Sequence, residues 1–347
     1  MSSVQTIEVH TAPAYEVTIG AGLLRECGAR LKTVLGGCRI VVAADSNVAP
    51  LYLETVCASL RDAGFAVCSY VFPAGEAHKN FTPLSAVLEF LAESQLTRTD
   101  CVAALGGGVT GDMAGFAAAS YLRGIRYVQV PTTLLAAVDS SVGGKTAVDL
   151  GGIKNIVGAF HQPRAVLIDP EVLKTLDARQ FTCGAAEIIK MAATFDEAFF
   201  ARIEASGIRG SEAQLEEIIA NALRIKAHVV EADEKEQGLR KALNFGHTLG
   251  HGMESVSGNL LHGECVALGM LPMTEPALRD RLRQVLQREG LPTVCREDAA
   301  AVCRAAMHDK KADGGAVTTI RVRRIGSFYT EPADEARLKQ DYEEVFG

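Results

Sequence analysis

The stretch CVAALGGGVTGDMAGFAAAS, Cys101 to Ser120, reads as an apolar strand, a glycine turn and the opening of a helix. A short apolar run closed by turn residues suits a strand buried on both faces. Gly106, Gly108 and Gly111 match the spacing GxGxxG. Glycines there let the backbone approach a pyrophosphate, and the following helix offers its N-terminal amides. The motif alone is weak, and a plain tight turn accounts for it equally well. No Asp or Glu stands between Met113 and Val138, where the ribose-binding acid of an ordinary Rossmann unit falls. Asp45 and Glu76, each just after a strand-like run, are the candidates to replace it; judged alone they are ordinary loop acids.

Outward from this unit the same alternation continues. Arg39–Ala44, Phe65–Phe72, Tyr127–Val130 and Ala165–Ile168 read as further buried strands, with amphipathic helical stretches at Val48–Ala63 and Phe81–Leu96 between them. This predicts an α/β domain with a largely parallel sheet covered by helices. From Ala178 to about Ala306 the apolar spacing is helical, and Val317–Val322 alternates as a small hairpin would. The expected domains are therefore 1–176, α/β, and 177–347, mainly α-helical, with a cleft between them as the natural place for a ligand.

Composition narrows the function. Of the 347 residues 48% are hydrophobic and 22% charged, which supports a sizeable core and argues against global disorder. The net charge of −7 disfavours nucleic acid or an anionic membrane as partner. Nine cysteines, widely spaced and without a CxxC pair, read as free thiols of a cytoplasmic protein. The N-terminal segment has no basic start followed by an apolar run, so no signal peptide is expected, and no uninterrupted apolar stretch is long enough for a membrane span.

Three of the eight histidines fall between Asn244 and Glu264. His247 and His251 stand one helical turn apart on one face, Glu254 follows on that face, and His262 comes in LHGE. Such pairs suit zinc, although HxxxH without metal is common, and the absence of HExxH speaks against a zinc peptidase. Glu187 and Lys190 share a face of an apolar helix. Asp139 to Thr146, VDSSVGGKT from Val138, superficially resembles a P-loop but lacks GxxxxGK[ST], which disfavours a nucleoside triphosphatase. Lys145, Lys154 and Asn155 sit in glycine-rich, otherwise apolar surroundings. Arg123, Lys226, Arg240, Lys310 and Lys311 are further cations, each more often a surface residue when judged singly.

Taken in order, GGGVTGDMAGFAAASYLRGI, VPTTLLAAVDSSVGGKTAVD, KNIVGAFHQP, GAAEIIK, LNFGHTLGH and LHGECVALGM resemble the successive signatures of the 3-dehydroquinate synthase family, within the sugar phosphate cyclases. DSNV, PAGEAHK and DKKADGG extend the match. The resemblance implies a Rossmann-like N-terminal domain that binds NAD and a helical C-terminal domain that carries zinc or cobalt and the substrate. It implies Glu187, His247 and His262 as metal ligands, with His251 beside the substrate phosphate. Asp139, Lys145, Lys154, Asn155, Lys190, Lys226, Arg240, Asn244 and one of the DKK lysines, Lys310, would line the substrate pocket, and Arg123 would reach it from the other subunit of a homodimer. Asp45, Asn47, Glu76, Lys79, Gly107, Gly108, Asp112, Thr132, Thr133 and Thr175 would contact NAD, together with Lys145 and Lys154. The implied reaction belongs to the shikimate pathway of aromatic amino acid biosynthesis. A ring carbon of an anionic sugar phosphate is oxidised to a ketone, phosphate leaves, the carbon is reduced again, and the opened ring closes by an aldol step. One departure stands out: Ile153 occupies the usual glycine position before Lys154, with Gly151 and Gly152 just ahead. The readings left open are another cyclase of the aminodehydroquinate, valiolone or deoxyinosose type, and a metal- and NAD-dependent alcohol dehydrogenase of the glycerol dehydrogenase type.

Overall fold

The computed structural model describes residues 4–309 and 315–347, so Lys310 and Lys311 of the expected pocket lie outside the described residues. The chain divides into two compact units, Met1–Leu176 with Lys226–Glu234, and Asp177–Ile225 with Lys235–Gly347.

The first unit is built on a sheet whose strands come from β1 (Gln5–Val9), β2 (Tyr15–Ile19), β3 (Arg39–Asp45), β4 (Ala66–Phe72), β5 (Cys101–Gly106) and β6 (Arg126–Pro131). A separate hairpin, β7 (Lys145–Leu150) and β8 (Ile153–Phe160), precedes the last strand, β9 (Ala165–Ile168). The sheet order is β1-β2-β9-β6-β5-β3-β4, parallel throughout except for the β1/β2 pair. Every residue of β5 is buried, as its unbroken apolar run predicts. Helices Phe81–Glu93 and Gly108–Ser120 pack a common core with the sheet through Val41, Ala43, Val102, Ala104, Met113 and Tyr127.

Two local expectations needed correction. The run Phe65–Phe72 was expected to be a buried strand, but β4 forms the sheet edge and leaves Ser69 and Val71 open to solvent. The β7/β8 hairpin was not expected at all. It pairs Leu150 with Ile153 across Gly151 and Gly152, whose φ values of +62° and +79° make the two-residue turn that glycine favours. Ile153 lies in the strand and has no positive φ, so the family's usual glycine is not required there.

The chain order places a switch point in the sheet. From β3 the chain moves to β4 on one side and then returns to β5 on the other side of β3. The carboxyl ends of β3 and β5, at Asp45 and Gly106, diverge into loops that turn opposite ways, which is where open α/β sheets bind ligands.

In the second unit the helices Ala178–Phe195, His247–Val256 and His262–Met270 pack closely. Asp177 caps the first through the Arg179 and Gln180 amides. Small residues permit the contact. A Cβ on Gly263 would stand 2.3 Å from the Cys183 carbonyl oxygen, and one on Gly269 would stand 2.0 Å from that of Gly246. The unit closes with a hairpin, β10 (Val317–Arg324) and β11 (Ser327–Ala333), at the place the late alternation indicated. Because the obstacle at Gly269 is backbone, Gly269→Ala is expected to destabilise the protein by about 1–3 kcal/mol. Gly258→Ala, where no atom lies within 4 Å of the added carbon, should fall within about 0.5 kcal/mol of wild type. Denaturant unfolding of the two variants side by side checks both values.

Candidate functional site

Glu187 lies mid-helix in Ala178–Phe195 and is 1% exposed. Its Oε1 accepts no hydrogen bond. That oxygen faces two imidazoles, His262 Nε2 at 3.5 Å and His247 Nε2 at 3.7 Å. Zinc bonds of 2.0–2.1 Å at tetrahedral angles put neighbouring ligand atoms roughly 3.4 Å apart. A buried carboxylate oxygen without a donor, at that spacing from two imidazole nitrogens, fits a divalent ion. Two neutral imidazoles and one carboxylate are also a ligand set that leaves positions open for substrate.

Both imidazoles are held from behind. His262 Nδ1 donates to Glu254 Oε2 at 3.2 Å, and His247 Nδ1 donates to the Phe245 carbonyl at 3.2 Å. Each bond keeps a proton on Nδ1 and aims Nε2 at Glu187. Glu254 is thus a functional residue that the sequence placed on the right helix face but did not connect to His262. A second support was not anticipated. Arg179 makes two bonds to Glu264, at 2.6 and 2.7 Å, while Glu264 Oε2 accepts the Leu261 amide at 2.9 Å. Glu264 stands three residues after the N-cap, the reaching-back half of a capping box, and this fixes the helix start that carries His262.

The electrostatics agree with this geometry. Burial pushes the Glu187 carboxyl up, but the Lys190 ammonium and His262 outweigh it and bring the pKa down to about 2. Lys190 forms an ion pair with the same carboxylate and is itself 1% exposed. Burial and the neighbouring Lys190 charge hold His247 well below the usual histidine range, so its imidazole is neutral. His262 is lowered by burial but raised more by the Glu187 and Glu254 carboxylates, to about 9, so an ion bound there has to displace its Nε2 proton. His251, one turn beyond His247, brings its ring to 5.2 Å from that of His247 and 5.9 Å from that of His262. Arg240 is buried and Asn244 donates to Glu236 at 2.8 Å, both in the short helical segment Leu239–Asn244.

The first unit holds the other candidates. At the strand ends, Asp45 Oδ1 accepts the Asn47 and Val48 amides and Oδ2 accepts the Thr110 hydroxyl at 3.0 Å. Three of the carboxylate's roughly four acceptor sites are thereby used within the protein. Gly107 follows β5 directly, and a Cβ there would come 2.9 Å from Thr133 Cγ2. Gly108 begins the helix. This is a narrow, glycine-lined helix start of the kind a pyrophosphate occupies. Glu76 is half exposed and 4.0 Å from Lys154 Nζ. Lys79 is buried, pairs with Asp112 Oδ2 at 2.6 Å and donates to Asn155 Oδ1. Thr132 is buried and its hydroxyl has no hydrogen-bond partner, whereas Thr133 Oγ1 caps the Ala136 amide. Thr175 donates to the Val172 carbonyl and meets the Tyr52 hydroxyl, on the helical segment Pro170–Thr175.

The cations of this unit fall in three places. Lys226 is buried and pairs with Asp139. Lys145, Lys154 and Asn155 are exposed on the β7/β8 hairpin, where the sequence had suggested apolar surroundings. Asp149, which the sequence did not single out, accepts the Asn155 amide at 2.7 Å and so sets the start of β8. Arg123 is exposed on a turn at the far end of helix Gly108–Ser120.

The family model for the N-terminal part of 3-dehydroquinate synthase matches residues 69–183, and the model for its C-terminal part matches residues 184–312. A 3-dehydroquinate synthase of Symbiobacterium thermophilum is 44% identical over 335 residues, 92% of this chain and 94% of that protein. Among solved structures, 2-epi-5-epi-valiolone synthase from Streptomyces hygroscopicus subsp. jinggangensis 5008, with NAD+ and Zn2+ bound, has a TM-score of 0.87 at 27% identity, covering 95% of this chain and 96% of that one. A 2-deoxy-scyllo-inosose synthase complexed with carbaglucose-6-phosphate, NAD+ and Co2+ shares the fold at a TM-score of 0.89 and 24% identity, covering 99% of this chain and all of that one. The chain belongs to the 3-dehydroquinate synthase family.

The arrangement around Glu187 predicts graded losses of metal. His247→Ala and His262→Ala each remove a ligand and should leave the purified protein with little tightly held ion. Glu254→Gln keeps the ligands but weakens the orientation of His262, and should lower metal affinity about 10–100-fold. Competition with a chromophoric chelator measures all three; full affinity in His262→Ala would exclude that residue from the centre.

Proposed function

We propose that this protein converts 3-deoxy-D-arabino-heptulosonate 7-phosphate into 3-dehydroquinate and phosphate, the activity for which its family is named, with NAD and a divalent ion, zinc or cobalt. The observation that carries the reading is the buried Glu187 carboxylate facing His247 and His262 in a chain of this family. When bound, the ion supplies a Lewis acid for a ring hydroxyl, and the dinucleotide a reversible hydride acceptor.

The chain's own residues do the rest by holding charge. The substrate carries a carboxylate and a phosphate, and a protein of net charge −7 must meet them with local cations. Lys145, Lys154, Lys226, Asn155, Lys190, Arg240, Asn244 and His251 serve this purpose, with Asp139 keeping the Lys226 ammonium in place. Buried Lys190 and Arg240 give the larger effect, because charge–charge interaction strengthens where water is excluded. The start of helix Gly108–Ser120 would hold the NAD pyrophosphate, and Glu76, the more exposed acid, together with Asp45 would hold the adenosine ribose. We place the enzyme in the cytoplasm, where reducing conditions suit a chain of nine widely spaced cysteines without a CxxC pair. No helix among the described residues is long and apolar enough to cross a membrane.

A cyclase and a dehydrogenase differ in one balance. In the proposed reaction the hydride taken from the ring returns to it within each turnover. Incubation with substrate, NAD and zinc should therefore release phosphate stoichiometrically while absorbance at 340 nm stays flat. NADH rising in step with product would establish an oxidoreductase instead, and a different carbocycle by mass and chromatography would move the chain to another cyclase activity.

The proposed assembly is a homodimer in which Arg123 serves the other subunit's substrate and Lys145 its own. Arg123→Ala and Lys145→Ala homodimers should each be nearly inactive. Refolded together in equal amounts, half the dimers are mixed, and each mixed dimer has one intact site, so about a quarter of full activity should return. With dimer exchange verified by mass, an inactive mixture would place Arg123 in its own subunit's site.

A further inference from the structure

Leu122, Arg123 and Gly124 have consecutive positive φ angles, +50°, +67° and +114°. Glycine enters that region freely, whereas leucine and arginine enter it only against a steric penalty. Packing does not explain the strain, because Leu122 and Arg123 are both exposed. Strained backbone persists where its surroundings over-determine it, and it concentrates at functional sites. What holds this turn is therefore informative.

The turn leaves helix Gly108–Ser120 and enters β6. Its exit is held at Ile125 from both sides of the peptide. The Ile125 amide donates to the Ala118 carbonyl at 2.9 Å, and the Ile125 carbonyl accepts from His161 Nε2 at 2.8 Å. His161 comes from a distant part of the chain, just after β8, and is itself fixed on three sides. Its ring stacks on Tyr127 at 5.2 Å between centroids and 17° between planes. Its carbonyl accepts the Tyr127 hydroxyl at 2.9 Å, and its amide donates to the Gly144 carbonyl at 2.7 Å. Gly144 immediately precedes Lys145. One residue thus ties the exit of the Arg123 turn to the segment that carries Lys145.

We propose that His161 is a positioning residue for Arg123, locking the strained Leu122–Gly124 turn through the Ile125 carbonyl so that the guanidinium is presented in one orientation to the anionic substrate. This rests on the reading of Arg123 as a substrate contact. The Nε2–H tautomer is required, since the partner is a carbonyl that can only accept. The imidazole need not change charge or touch substrate.

His161→Phe isolates the bond, because a phenyl ring preserves the stacking on Tyr127 and removes only the donor. His161→Gln restores a donor of similar reach. In the holoenzyme with zinc and NAD, His161→Phe is expected to raise KM for the sugar phosphate on the order of ten- to a hundredfold. NAD and zinc affinities should stay at wild-type values. Amide hydrogen exchange over Arg123–Ile125 should accelerate, and His161→Gln should recover most of both properties. In an Arg123→Ala background, His161→Phe should change KM by less than about twofold, since the residue it positions is already gone. An equal loss with and without Arg123, or unchanged KM and exchange in His161→Phe, would overturn the positioning role. Arg123→Ala with a wild-type KM would overturn the reading of Arg123 itself, and the role of His161 with it; the exchange data separate these two failures.

Discussion

A carboxylate that is almost wholly removed from water is the constraint on which the second unit depends. Burying an ionised carboxylate costs on the order of several kcal/mol unless nearby groups compensate it. Glu187 meets this with the Lys190 ammonium on one oxygen and presents the other, without a hydrogen-bond donor, to two imidazoles. Three helices have to converge for that to happen. They can do so because glycine stands at the close approaches, at Gly263 against Cys183 and at Gly269 against Gly246. The imidazoles are then aimed by Glu254 and by the Phe245 carbonyl, and the helix start beneath His262 is pinned by Glu264 and Arg179. Packing, capping and ligand orientation therefore serve a single charged group.

The first unit solves a different problem with the same economy of backbone. Its sheet changes direction of winding at β3 and β5, and Asp45, Asn47, Gly107 and Gly108, four of the residues assigned by resemblance to the dinucleotide, stand at those strand ends. The structure also distinguishes among them. Asp45 is largely occupied in joining the end of β3 to its own loop and to Thr110 on the helix. Glu76 retains more exposure. The β7/β8 hairpin, outside the main sheet, carries Lys154 and Asn155 beside its turn and Lys145 at its open end, paired with Phe160, and Asp149 holds its register at Asn155.

Much of this was legible in the sequence because it is local. The apolar run of β5, the small-residue helix after it and the helical spacing of the second half all follow from periodicity and turn chemistry. The proposed metal ligands needed more. Glu187 and His262 are 75 positions apart, and only the ordered set of motifs joined them. What escaped were relations made by tertiary contact. The edge position of β4 depends on which strand lies beyond it, and an apolar run does not report that. The β1/β2 pair, whose short apolar content is interrupted by Thr6 and Glu8 and by Glu16 and Thr18, gave no buried-strand signal. Glu254 was visible on the His247 face, but its bond to His262 crosses from one helix to another. The strained turn at Leu122 left no trace, since neither leucine nor arginine advertises a positive φ.

If one divalent ion is held by Glu187, His247 and His262, X-ray absorption at the zinc edge of the reconstituted protein will show about one zinc per chain, a shell of nitrogen and oxygen only at about 2.0–2.2 Å, and the outer scattering of two imidazoles. A sulfur shell near about 2.3 Å, or a shell without imidazole scattering, would contradict it.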